Sequence, residues 1–120
     1  MFRFTPKEFY ALGRKPKGEG EARMNKTEAE YAQMLDLEKH SGGIVFWRFE
    51  AIKIRLADNT HYTPDFLVCR SDMRLECHEV KGGFIMDDAK VKLKVAAETC
   101  PFGFVLAQKS KGAWHVEVLA

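Results

Sequence analysis

Asp65, Glu79 and Lys81 are the residues of this chain whose types and spacing best fit a chemical task. Asp65 follows a proline in Tyr62-Thr-Pro-Asp-Phe66, and the other two lie in Glu79-Val-Lys81-Gly-Gly83. Both segments read as β-strand. Side chains alternate between faces along a strand, so Glu79 and Lys81 project to the same side. If the two strands pair, Asp65 joins them, and two carboxylates and an ammonium group share one small volume. Carboxylates in that arrangement hold Mg²⁺, with Mn²⁺ as a substitute. A neighbouring lysine then steers a water or stabilises negative charge on a phosphate. Burying Asp65 without a partner is costly, so its strand calls for a metal or a hydrogen-bond network.

The elements that must position these groups follow from local pattern. Ala29, Ala32, Met34, Leu35 and Leu37, with Tyr31, predict an amphipathic helix over 26–39, capped by Thr27 or Asn25 and stopped by Ser41-Gly-Gly43. Ile44–Phe49 and Ile52–Leu56 read as strands with a bend near Glu50-Ala51. Asp58-Asn59 predicts a tight turn into a strand running from His61 to Cys69, irregular or at an edge where Pro64 lacks a donor. Ser71-Asp72-Met73 turns into a strand over 74–81, which Gly82-Gly83 ends. Asp87 or Asp88 caps a helix to about Thr99. Two last strands, 102–108 and 114–119, flank a Lys111-Gly112 turn. The order αβββαβ, with an extra final strand, predicts an α/β fold: a mixed sheet flanked by helices.

Pro-Asp, a spacer of about a dozen residues and then Glu-x-Lys resembles the signature of the PD-(D/E)XK nuclease superfamily. The likeness extends upstream, where Asn25-Lys-Thr-Glu28-Ala-Glu-Tyr-Ala-Gln-Met-Leu35 resembles the first helix of phage and transposon nucleases of that group. It covers roughly residues 25 to 109. The resemblance implies a restriction-endonuclease-like fold and a metal-dependent endonuclease, a phosphodiester hydrolase acting on DNA. It implies that Asp65, Glu79 and the backbone carbonyl of Val80 ligate one or two Mg²⁺ ions, with Glu28 completing the set. Lys81 would contact the attacking water or the scissile phosphate. Small phage endonucleases and Holliday-junction resolvases are the members it is most similar to. A branched DNA substrate, a homodimer, and a role in phage DNA recombination inside a bacterial host follow as expectations. A nicking or end-processing nuclease, or a non-catalytic DNA-binding protein on a decayed nuclease core, are the alternatives. The chain departs from the pattern at Cys77-His78, where a more apolar run is usual and weaker burial of the strand is expected. No appended recognition domain is expected from these 120 residues, so sequence-specific cleavage in the manner of a restriction enzyme is not expected either.

Each site residue has a plainer explanation. Asp65 can cap a turn or bulge beside Pro64, Glu-x-Lys is common on solvated strand faces, and surface glutamates on helices are ordinary. Glu30, two residues from Glu28, points to another helix face, and the choice between the two stays open here. Gly82-Gly83 would let a substrate backbone approach closely. Lys90 and Lys94, one turn apart on the second helix, either grip phosphates or form a solvated face with Lys94 paired to Glu98. His78 reads as a strand residue with a local hydrogen bond. Trp47, Phe49, Phe102, Phe104 and Trp114 read as core.

Composition sets the outer bounds. The 120 residues make one domain over 26–120, preceded by an arm over 1–25. Residues 1–26 hold seven Lys/Arg against three Glu, and the remainder twelve against fourteen, so the net charge of +2 hides a basic amino-terminal segment. Thr5–Leu12 reads as a short helix, and Arg14, Lys15 and Lys17 lie in a Gly/Pro-rich stretch suited to phosphate contact. No apolar run is long enough for a membrane span, and no signal-peptide stretch is present. Cys69, Cys77 and Cys100 form no Cys-x-x-Cys motif, which suits a reducing cytoplasm and gives zinc no paired ligand spacing. No organic cofactor is expected.

Overall fold

The computed structural model describes residues 24–83, 85 and 87–119. The short helix expected over 5–12 and the basic stretch with Arg14, Lys15 and Lys17 lie outside them.

The first described helix, α1 (Lys26–Ser41), begins where two backbone donors are satisfied reciprocally. The Asn25 side chain accepts from the Glu28 N–H, and the Glu28 carboxylate accepts from the Asn25 N–H, each at 2.8 Å. Gly42 ends the helix at φ 89°, a left-handed conformation that glycine adopts without strain. The chain continues through β1 (Ile44–Phe49), β2 (Ile54–Ala57), β3 (Thr60–Tyr62), β4 (Phe66–Arg70) and β5 (Leu75–Gly82). Helix α2 (Asp87–Thr99) then crosses over to β6 (Gly103–Ser110), and β7 (Ala113–Val118) follows.

Five strands form one mixed sheet in the order β1-β4-β5-β6-β7. β5 and β6 are parallel, as a helical crossover requires, and the other pairs are antiparallel. The chain is thus α/β, with two helices among the described residues. No helix among them is long and apolar enough to cross a membrane.

The two faces of the sheet have separate cores. Phe66, Val68 and Val80 pack with Tyr31, Ala32 and Leu35 under α1. Leu67, Cys69, Cys77, Phe104 and Leu106 pack on the opposite face with Leu93 and Ala96 of α2 and Tyr62 of the hairpin. The alternation along β4 and β5 produces this division. In β1 a register shift between Ile44 and Phe46 reverses it, so these two residues enter different cores. Trp47, Phe49, Phe102, Phe104 and Trp114 all join one core or the other, as expected.

Two expectations need correction. The single strand over His61–Cys69 is two strands in two sheets, because β3 pairs only with β2 and β4 begins after the Thr63-Pro64-Asp65 break. Pro64 has no N–H to offer a ladder, so pairing stops there and the β2–β3 hairpin is free to fold over the sheet. Cys77 and His78 do not weaken the burial of β5, since both are buried. The cysteines are free thiols, Cys69 and Cys77 buried and Cys100 half-buried.

Candidate active site

The break before β4 builds the site. Continuing the β1–β4 ladder by one residue, the Glu50 N–H donates to the Asp65 carbonyl at 2.8 Å. On the other side, the Val80 N–H donates to Asp65 Oδ2 at 2.8 Å. Asp65 is therefore held by its backbone to one strand and by its carboxylate to the next. The β4–β5 register pairs Phe66 with His78, and one step further sets Asp65 opposite Glu79.

Glu79 is 5% exposed, and its Oε1 is buried with no hydrogen-bond partner. Burial first, and then the Asp65 charge, push its pKa up to about 8. Lys81 Nζ, 4.0 Å from Glu79 Oε2 and about one-third exposed, pulls in the other direction. The Tyr62 hydroxyl lies close enough to feel the Glu79 charge, yet it too is buried without a hydrogen-bond partner. Burial raises its pKa, and the Glu79 charge adds to the rise.

Glu28 reaches the same place from α1. Burial raises its pKa despite the Asn25 N–H, and Asp65 and Glu50 add to the effect. Its Oε1 is taken by the capping box, so the cap that starts the helix also fixes the carboxylate beside Asp65. Gly82 permits this approach. A Cβ there would stand 3.0 Å from Thr27 Oγ1, so the space is filled by the first turn of α1 rather than kept for a substrate. Gly83 serves differently, turning the chain at φ 92° in open surroundings.

Comparison with protein-family models, curated proteins and solved structures finds no match. The case for function therefore rests on the residues themselves.

Asp65 lies between Glu28 and Glu79, electrostatically coupled to both, and Lys81 stands beside Glu79. Of the two glutamates, Glu28 is the one beside Asp65, whereas Glu30 is ion-paired with Lys109. The Val80 backbone is part of the site through its N–H, while its side chain is buried in the α1 core. Lys90 and Lys94 are exposed on α2, and no contact ties either to the carboxylates. Arg14, Lys15 and Lys17 fall outside the described residues.

Sequence reasoning missed Tyr62 and Glu50. Tyr62 opens the Tyr62–Phe66 segment, but only the hairpin's fold over the sheet brings it beside Glu79. Glu50 contributes by a backbone bond and a charge, neither of which has a sequence signature.

Among the described residues no group of three His, Cys, Asp or Glu side chains stands ready-made as a metal cage. The donor set nevertheless fits a hard cation. Carboxylate oxygens are what Mg²⁺ prefers, two of the three carboxyls are pushed upward by burial and mutual repulsion, and one buried oxygen is orphaned. A divalent ion would offset the repulsion and give the orphaned oxygen a partner.

Proposed function

We propose that this protein is a Mg²⁺-dependent DNA endonuclease with a restriction-endonuclease-like fold, which hydrolyses phosphodiester bonds. The observation that carries the reading is that Asp65 stands opposite Glu79 and beside Glu28, with one Glu79 oxygen buried and unpartnered. The resemblance of the Pro64-Asp65 and Glu79-x-Lys81 segments to the PD-(D/E)XK pattern supports it.

Asp65 and Glu79, with Glu28 and the Val80 carbonyl, would hold the ion. Bound there, Mg²⁺ supplies a Lewis acid that makes a water easier to deprotonate and neutralises charge on the phosphoryl oxygens. The chain's own residues do the rest. The Val80 N–H fixes one Asp65 oxygen, which orients the carboxylate before any ligand arrives. Lys81, held near Glu79 yet partly exposed, orients the attacking water and stabilises charge developing on the scissile phosphate. The Tyr62 hydroxyl, buried beside Glu79 without a partner of its own, keeps water from the inner side of that carboxylate. No covalent bond to the protein is needed.

Branched DNA is the proposed substrate, with a linear duplex and a single strand as controls. Labelled four-way junctions should be cut in paired positions with Mg²⁺ or Mn²⁺, and not with EDTA or after Lys81→Ala. Cutting of all three substrates would keep the nuclease and remove branch selectivity. Absence of cutting with either metal would overturn the enzymatic reading.

A further inference from the structure

The two edges of the five-stranded sheet are finished differently. β1 is broken by a bulge between Ile44 and Phe46, carries Arg48, and is followed at once by Glu50 with φ 47°. These are devices that keep an edge from pairing with another chain. β7 (sequence AWHVEV) has no proline, no lysine and no irregularity in its pairing with β6. Val116 and Val118 on it are 57% and 73% exposed, two of the four large exposed hydrophobics among the described residues.

The outward backbone groups of β7 can be assigned. The Leu119 N–H donates to the Phe104 carbonyl at 2.8 Å, which makes Phe104 and Leu119 a hydrogen-bonded pair of the antiparallel ladder. Such pairs alternate with pairs whose N–H and C=O point away from the neighbour. Glu117 and His115 therefore bond inward to β6, while Trp114, Val116 and Val118 present their backbone groups to the outside. Their side chains lie on the α1 face of the sheet, where Trp114 packs against Tyr31 with ring centroids 5.3 Å apart.

We propose that β7 pairs antiparallel with β7 of a second copy of this chain, about a two-fold axis at Val116, to make one continuous ten-stranded sheet. Symmetry and ladder parity leave three central registers. Centring on His115 sets two histidines opposite each other, and centring on Glu117 sets two carboxylates opposite each other, which is unfavourable. Centring on Val116 sets His115 opposite the partner's Glu117, twice by symmetry, in the pairs where side chains approach most closely. The same register aligns Val116 with the partner's Val116 and Trp114 with the partner's Val118 on the other face. Both His115 and Glu117 are exposed within one copy, so each is free for this pairing. The edge is self-complementary in backbone, apolar and charged groups together, which a partner of another kind would have to match separately. The proposal does not depend on the carboxylate site.

Sedimentation equilibrium of the full chain across the micromolar range tests it. The parent should be dimeric. Val116→Pro removes one outward N–H that no strand among the described residues uses, and should give monomers. Val116→Lys, which leaves every backbone group in place, should do the same with unchanged circular dichroism. Glu117→Lys should weaken the dimer by about tenfold, through two symmetric pairs turned unfavourable. The double exchange His115→Glu with Glu117→Lys should restore it. A monomeric parent, dimers that survive Val116→Lys, or failure of the double exchange to rescue would each overturn the proposal.

Discussion

His78 and Glu79 are consecutive on β5, equally buried at 5% exposure, and treated in opposite ways. On the α1 face, His78 Nδ1 meets the Tyr31 hydroxyl at 2.6 Å and Nε2 meets Glu76 Oε1 at 2.9 Å. Arg70 lies 3.7 Å from Glu76 and reaches Glu38 at 3.1 Å, so the network runs out to the surface with each member partnered. His78 accordingly draws the Glu76 carboxyl below its usual range. On the hairpin face, Glu79 keeps one oxygen unpartnered, shares its surroundings with Asp65, and is pushed upward. A buried network that is complete contributes to the fold. One left incomplete, with like charges adjacent, destabilises the chain until something binds.

The largest expected contrast lies in activity. Asp65→Asn preserves an oxygen for the Val80 N–H but removes the charge, and should lower Mg²⁺-dependent cleavage at least about 100-fold with little change in melting. A comparable loss on His78→Leu, at unchanged folding, would erase the distinction between the two faces.

Next comes the pH dependence of stability without metal. The folded pKa of Glu79 is raised, so its favourable contribution is complete below the unfolded value and is lost as pH rises through about 8. Glu79→Gln should therefore stabilise the metal-free protein by about 1–2 kcal/mol near pH 8.5 and by little near pH 4.5. Thermal denaturation at the two pH values checks this. A variant destabilised at the higher pH would show that Glu79 is satisfied without a cation.

On the complete face, His78→Leu strands the Tyr31 hydroxyl and Glu76 and should cost about 1–3 kcal/mol in urea denaturation, with Mg²⁺ affinity unchanged. The smallest effect is that of Asn25→Ala. Loss of the cap should cost about 1 kcal/mol. Because the same capping box holds Glu28, Mg²⁺ affinity should fall as well, which separates this variant from an ordinary cap mutant.

Much of this was legible in the sequence where the determinants are local. The helix start, with Asn25 rather than Thr27 as the cap, the Gly42 stop and the Asp58-Asn59 turn, where Asn59 takes φ 55°, depend on a few adjacent residues. Glu79 and Lys81 share a face because strand periodicity requires it. The break at Pro64 was visible only as irregularity; that it sends β3 into a separate hairpin depends on how β2 and β3 pair. The Tyr31–His78 bond joins residues 47 apart, and the Tyr62–Glu79 encounter needs the hairpin folded back on the sheet. The one-residue bulge that reverses β1 left no mark in its run of apolar residues.

Titration calorimetry with Mg²⁺ and Mn²⁺ on the parent and Asp65→Asn, near pH 8, tests the central claim most directly. The account predicts saturable binding to the parent, accompanied by proton release as Glu79 ionises, and no binding at this site in the variant. Equal binding by both proteins, or none by the parent, would contradict it.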